Sequence, residues 1–201
     1  MANNKVNPNK LLVKDYVTIG IFSLLFIVFS MLVSRIQIIP ILCLAVPPAM
    51  ALVMGPIYLL YIARTQKPLC ITIMGIIVSF VIGFLAFGSV ISFLVSLVIF
   101  IAGELIAKSG GYKNFMRNLI SYVVASFWIF SGVGINWFGQ DFMMQRALSY
   151  NLETEFMESV FAVATPTSFI VIFVLNIICA IISGLIAKSM LKKHFTRAGI
   201  A

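Results

Sequence analysis

The sequence predicts an all-α integral membrane protein, a bundle of six transmembrane helices with both termini cytoplasmic. Three observations predict this. First, 62% of the 201 residues are hydrophobic and only 10% are charged, whereas soluble domains are about half apolar and about a quarter charged. A soluble core of this size cannot hide so much apolar surface, so the natural solvent is lipid. Second, the apolar residues fall in runs close to the ~20 residues a helix needs to cross about 30 Å of hydrocarbon. None alternates with period two as a barrel strand would. Third, basic residues cluster between alternate runs. The length suits one transmembrane domain over 1–201.

The first span is expected over 16–34. It follows the basic start MANNKVNPNKLLVKD, and its length and lack of a small-x-small cleavage pattern mark an uncleaved span rather than a signal peptide. The next run contains Pro40, Pro47, Pro48 and Pro56. Adjacent prolines remove donors and clash with the preceding turn mid-helix, but suit a first turn. The second span is therefore expected over 47–63, with 35–46 a folded connector that must be buried or line a cavity. One kinked span is the alternative. The third and fourth spans, 69–87 and 89–107, are split only by Gly88. The fifth is expected over 119–138 and the sixth over 167–187, after Pro166. Between them lies an amphipathic external segment over 148–164. Leu148, Leu152, Phe156 and Val160 recur every fourth residue there, with Glu153, Glu155 and Glu158 off the stripe. It reads equally as a lid over a cavity or as a helix lying on the membrane.

With the N-terminus inside, only Arg35 and Arg146 of the 14 Lys and Arg residues fall outside. That asymmetry orients the chain. The net charge of +8 is then a topology signal, with membrane lipid as the partner and no nucleic acid. The pentapeptide LIAKS, at 105–109 and 185–189, marks where the fourth and sixth spans leave the membrane on one side.

Chemistry is sparse. The chain has no metal box, Walker lysine, nucleotide-binding glycine loop or nucleophile motif, so neither an enzyme nor a cofactor is expected. Cys43, Cys70 and Cys179 are isolated within apolar stretches, and the single histidine, His194, sits in a basic tail. Glu104 is the one acid within an expected span. It either pairs with Lys108 one turn on or meets a coupling partner. Ser30 and Ser34 in the first span, and Gly75, Ser79 and Gly83 in the third, stand at four-residue spacing. Such faces suit internal packing or a docked partner. On the outer side Arg35, Gln37, Ser92, Asn136, Trp137, Phe138, Gln140, Asp141, Arg146 and Tyr150 supply the aromatic walls and polar anchors of a small-molecule pocket. For Trp137 alone, an interfacial aromatic belt is the simpler account.

Four stretches, VKDYVTIGIF, GPIYLLYIARTQKPLCITIMGII, GELIAKSGGYKNFMRN and KKHFTRAGI, together resemble the Trep_Strep or MptD family of very hydrophobic bacterial proteins. That family is identified with the substrate-binding (S) components of energy-coupling factor (ECF) transporters. The resemblance implies six helices and a pocket near the outer surface, roofed by the loops after helices one, three and five. It implies delivery by toppling within a module of a coupling subunit and two ATPase subunits, which would hydrolyse the ATP. Better-known S components dock through Ala-x-x-x-Ala in the first helix. This chain has Ser30-x-x-x-Ser34 there, with Gly75, Ser79 and Gly83 as a substitute face.

The expected function is capture of a vitamin-like or other ring-bearing micronutrient, haem included. Trp137, Phe138 and Tyr150 would stack on it. Arg35, Asp141 and Arg146 would supply charge, and Asn136 and Gln140 hydrogen bonds. The alternative is a structural or regulatory membrane subunit without a small-molecule ligand. A small membrane enzyme ranks last, for want of paired catalytic groups.

Overall fold

Lipid offers no partner to a free backbone N–H or C=O, and each long apolar run of this chain closes its own hydrogen bonds as helix. The structure, a computed structural model, describes residues 11–149 and 154–197, and no strand occurs among them. Six apolar helices alternate in direction: α1 (Val13–Ser34), α2 (Val46–Thr65), α3 (Cys70–Ala86), α4 (Val90–Ser109), α5 (Phe115–Val133) and α6 (Pro166–Arg197). Five are long and apolar enough to cross a membrane, and α3 is shorter. At ~1.5 Å per residue α3 reaches about 25 Å, a few ångströms less than the hydrocarbon core. Its second half, Ser79–Ala86, is π-helical. The start of α1, the α2–α3 and α4–α5 turns and the end of α6 share one end of the bundle, here called the basic end. The α1–α2 connector, the Gly88 turn and residues 134–165 make the far end.

The prolines explain α2. It begins at Val46, with Pro47 and Pro48 in its first turn, where a missing N–H costs nothing. Pro56 lies inside the helix. It lacks the N–H that would bond the carbonyl of Leu52. Ser183 of α6 donates to that carbonyl at 2.5 Å, and Tyr122 of α5 donates to the carbonyl of Ala51. The carbonyl that the proline leaves free and the one before it thus become ties to two neighbouring helices. The connector folds as a 3₁₀ turn, Arg35–Ile38, followed by a short helix, Pro40–Cys43.

At mid-height the bundle is solid. Phe26, Phe100 and Trp128 meet with ring centroids 5.8–6.2 Å apart. The gap between Phe26, Trp128, Met54 and Tyr58 has no room for a water molecule. Because lipid tails are as apolar as the helices, close packing and hydrogen bonds across helices hold such a bundle together. Tyr58 and Ser121 share a hydrogen bond of 2.9 Å, and Asn176 donates to Ser126 at 2.9 Å.

The face expected to dock a partner is used inside the fold. A Cβ on Gly75 would lie 2.5 Å from Phe100 Cβ, and one on Gly83 2.9 Å from the Phe93 nitrogen. Ser79 between them is fully buried. These small residues let α3 lie close against α4. Ser30 is buried and donates to the carbonyl of Phe26, while Ser34 donates to that of Ser30. Neither forms an outward small-residue stripe.

Glu104 is likewise turned inward. Only 4% exposed, it lies beside the α2–α3 turn rather than pairing with Lys108. Its carboxylate accepts from the backbone N–H of Leu69 (3.1 Å), Ile71 (2.8 Å) and Thr72 (3.1 Å), and from the hydroxyl of Tyr112. The first N–H groups of a helix have no partner within it and carry partial positive charge, so a carboxylate from a neighbouring helix caps α3. Burial, and the carboxylate beside it, push the Tyr112 phenol above its ordinary range, so it remains a donor. Nearby, Lys67 pairs with Asp15 at 2.6 Å, and Asp15 also accepts from the Leu12 N–H at 2.7 Å. Tyr61 donates to the carbonyl of Cys70 at 2.6 Å.

The segment between α5 and α6 differs from the expected single stripe. Two helices, Gln140–Ser149 and Glu155–Val163, stand on either side of a non-helical Thr154. Val160 is 2% exposed but Leu148 is 61% exposed, so the two do not share a packed face. Leu152, Glu153 and Tyr150, and the side chains of Arg146 and His194, lie outside the described residues.

Candidate functional site

At the far end the packing opens into two hollows. The smaller, ≈ 510 Å³, lies between the end of α1, the connector and the π-helical end of α3. Met31, Met50, Ile82, Phe87 and Phe156 give it apolar walls, and Ser30, Ser34, Arg35 and Gln37 its polar atoms. Arg35 is the one charged side chain in this lining, and no hydrogen bond or ion pair engages it among the described residues. The larger hollow, ≈ 1170 Å³, is a cleft between α4 and the far-end parts of α5 and α6. Phenylalanines dominate it, among them Phe87, Phe130, Phe138, Phe169 and Phe173. Ser89, Ser92 and Ser131 supply its polar side chains, and none of its lining residues is charged.

The predicted pocket residues therefore separate into groups. Arg35 and Gln37 line the smaller hollow, and Ser92 and Phe138 the aromatic cleft. Ser92 is buried, and its hydroxyl donates to the carbonyl of Ser131 at 2.6 Å, tying α4 to α5. Asn136, Trp137 and Gln140 bond within the protein. The Asn136 amide donates to Cys43 Sγ at 3.8 Å. The Trp137 indole N–H donates to Ser168 Oγ at 3.0 Å, and the Gln140 amide donates to the carbonyls of Asn136 (2.8 Å) and Ala164 (3.1 Å). Asp141 is exposed and lines neither hollow. Arg146's side chain and Tyr150 lie outside the described residues.

These internal bonds build a roof. Cys43 and Leu44 of the connector, Val160 and Ala164 form a small apolar cluster apart from the main core, with Trp137 packed against it. Burial pushes the Cys43 thiol up, opposed by the Asn136 hydrogen bond. Trp137 also stands 5.5 Å from Phe169 edge-to-face and 6.4 Å from Phe130. The bond from Trp137 reaches the cap of α6, where Thr165 and Ser168 exchange side chain-to-backbone bonds of 2.9 and 3.2 Å. Pro166 follows at the first position, where it suits a helix start.

Sequence reasoning missed Met31, Met50, Ile82 and Phe87 in one hollow and Phe130, Phe169 and Phe173 in the other. Phe169 and Phe173, one turn apart on α6, carried a readable signal. Phe87 carried none beyond its place before Gly88, because its position follows from the π-turn.

Among the described residues no three His, Cys, Asp or Glu side chains gather as a metal site. What fold and hollows define is a polytopic helical membrane protein, closed at one end and open at the other. The chain belongs to the family described as "Hypothetical bacterial integral membrane protein (Trep_Strep)", which matches residues 13–197. It is thus a multi-pass protein of a bacterial membrane. No curated protein and no solved structure matches it.

Proposed function

We propose that the protein is the substrate-capturing S component of an ECF-type importer, crossing the membrane six times with both termini cytoplasmic. It takes a vitamin-like or other ring-bearing micronutrient at the far end, which faces outward, for ATP-driven uptake by a coupling subunit and two ATPase subunits. The observation that carries this reading is the Arg35 hollow. Its ≈ 510 Å³ falls within the range of about 300–1,000 Å³ usual for ligand sites. One uncompensated guanidinium over methionine and phenylalanine walls fits an organic anion. The carboxylate or phosphate would pair with Arg35, and the apolar body would lie against Met31, Met50 and Phe87. The absence of a Walker motif leaves ATP hydrolysis to the partners.

One observation favours the rival, a structural or regulatory subunit without a ligand. Asn136, Trp137 and Gln140 spend polar groups on roof contacts rather than on either hollow. Mass spectrometry of small molecules released from the purified protein separates the two. A single anionic species present in wild type and lost from Arg35→Ala supports capture. Wild-type protein that releases only lipid and takes up no anion from a nutrient mixture supports the rival. Topology is checked by reporter fusions at the two termini, and a periplasmic or external signal from either would overturn the orientation.

A further inference from the structure

The two hollows share one lining residue, Phe87. Three features set its position. Its backbone N–H bonds the carbonyl of Ile82 at 2.9 Å, the five-residue spacing that ends the π-helical segment. Gly88 follows with φ 62°, and the Ser89 N–H returns to the carbonyl of Gly83 at 3.3 Å. A π-turn rotates the residues after it relative to a regular helix, and such turns recur at functional sites. Here the rotation directs the Phe87 ring onto Gly132 of α5. A Cβ on Gly132 would lie 2.1 Å from Phe87 Cε2, so only glycine leaves room for the ring there.

We propose that Phe87 is the specificity-determining partition of the capture site. It ends the Arg35 hollow and sets the size of apolar body an organic anion can carry, and removing its ring joins that hollow to the aromatic cleft. The proposal deepens the capture reading and rests on it. The charge distribution supports a joined site. The Arg35 hollow has the cation, whereas the cleft has the greater volume, ≈ 1170 Å³, and no charge. An anion anchored at Arg35 therefore meets Phe87 with its apolar end, and its size decides whether it fits.

The test uses the full chain in detergent and three aromatic carboxylates of increasing size: benzoate, 2-naphthoate and 1-pyrenecarboxylate. Binding is measured for wild type, Phe87→Ala, Phe87→Leu, Gly132→Ala and Arg35→Ala, each with its thermal midpoint. Wild type is expected to bind benzoate or naphthoate in an Arg35-dependent manner and to discriminate against pyrenecarboxylate. Phe87→Ala should gain about tenfold or more for pyrenecarboxylate while benzoate affinity changes by less than about threefold. Phe87→Leu should gain in the same direction, which keeps the test alive if the alanine variant fails to fold. Gly132→Ala should push the ring toward Arg35 and weaken naphthoate binding. Folded Phe87 variants that bind benzoate as wild type does but gain nothing for pyrenecarboxylate overturn the partition and leave capture standing. No Arg35-dependent binding of any probe to wild type overturns both.

Discussion

The two ends of the bundle handle polar atoms in opposite ways. At the basic end the buried carboxylate Glu104 accepts from three backbone N–H groups and a phenol, and Asp15 is matched by Lys67. At the far end the guanidinium of Arg35 has no partner among the described residues and stands over a hollow. The same helices thus make a stapled base and an unfilled mouth. A buried polar group that is satisfied at every atom adds rigidity, whereas Arg35, an exposed guanidinium beside a hollow, is available to a ligand. The difference teaches that burial alone does not mark a site. Glu104, the conspicuous acid of the sequence, is architecture, and Arg35 is the stronger candidate for recognition.

The largest effect should come from unfastening the base. Glu104→Ala leaves three backbone donors without their acceptor, that of the buried Ile71 among them, so unfolding in detergent should show a loss of about 2–3 kcal/mol. Glu104→Gln keeps an acceptor and should lose less. A neutral Glu104→Ala would break the contrast between the ends. Next in size is Gly55→Val. A Cβ there would lie 2.2 Å from Ser183 Oγ, and overpacking of this kind costs about 1–3 kcal/mol. The same unfolding experiment reads it, and an unchanged midpoint would mean that α2 and α6 are not held as described.

Arg35→Ala should behave in the opposite sense. Its thermal midpoint should stay at the wild-type value, while affinity for a carboxylate probe falls about tenfold, or about 1.4 kcal/mol. A drop in stability would assign Arg35 to the scaffold instead. The smallest effect is expected from Trp137→Phe, which keeps the ring contacts and loses the hydrogen bond to Ser168. About 0.5–1 kcal/mol of stability should go, with probe affinity unchanged. A large loss of affinity would return Trp137 to the binding site.

How far the fold was legible depended on whether the governing physics was local. Pro47 and Pro48 announced the start of α2 because missing N–H groups suit a first turn. The apolar runs announced helices because lipid leaves the backbone no other partner. The site was less legible. Gly75, Ser79 and Gly83 look the same in sequence whether the helix they face is α4 or a partner. Glu104 has Lys108 one turn away, and no sequence rule says that a turn some thirty residues earlier will take its carboxylate instead. Asn136, Trp137 and Gln140 did fall at the far end, but the connector and the α6 cap claimed their polar atoms. Phe87 owes its place to a widened turn, a long-range packing outcome with no residue signature.

The ties between α2, α5 and α6 have one more consequence. The hydroxyls of Tyr122 and Ser183 are fastened to main-chain acceptors of α2, and Asn176 fastens α6 back to Ser126. Three helices are thereby riveted into a single frame by bonds that would have to break in hydrocarbon before any of them slid. Mechanical freedom, wherever the molecule uses it, is left to the pieces mounted on that frame, namely the α1–α2 connector and the widened end of α3.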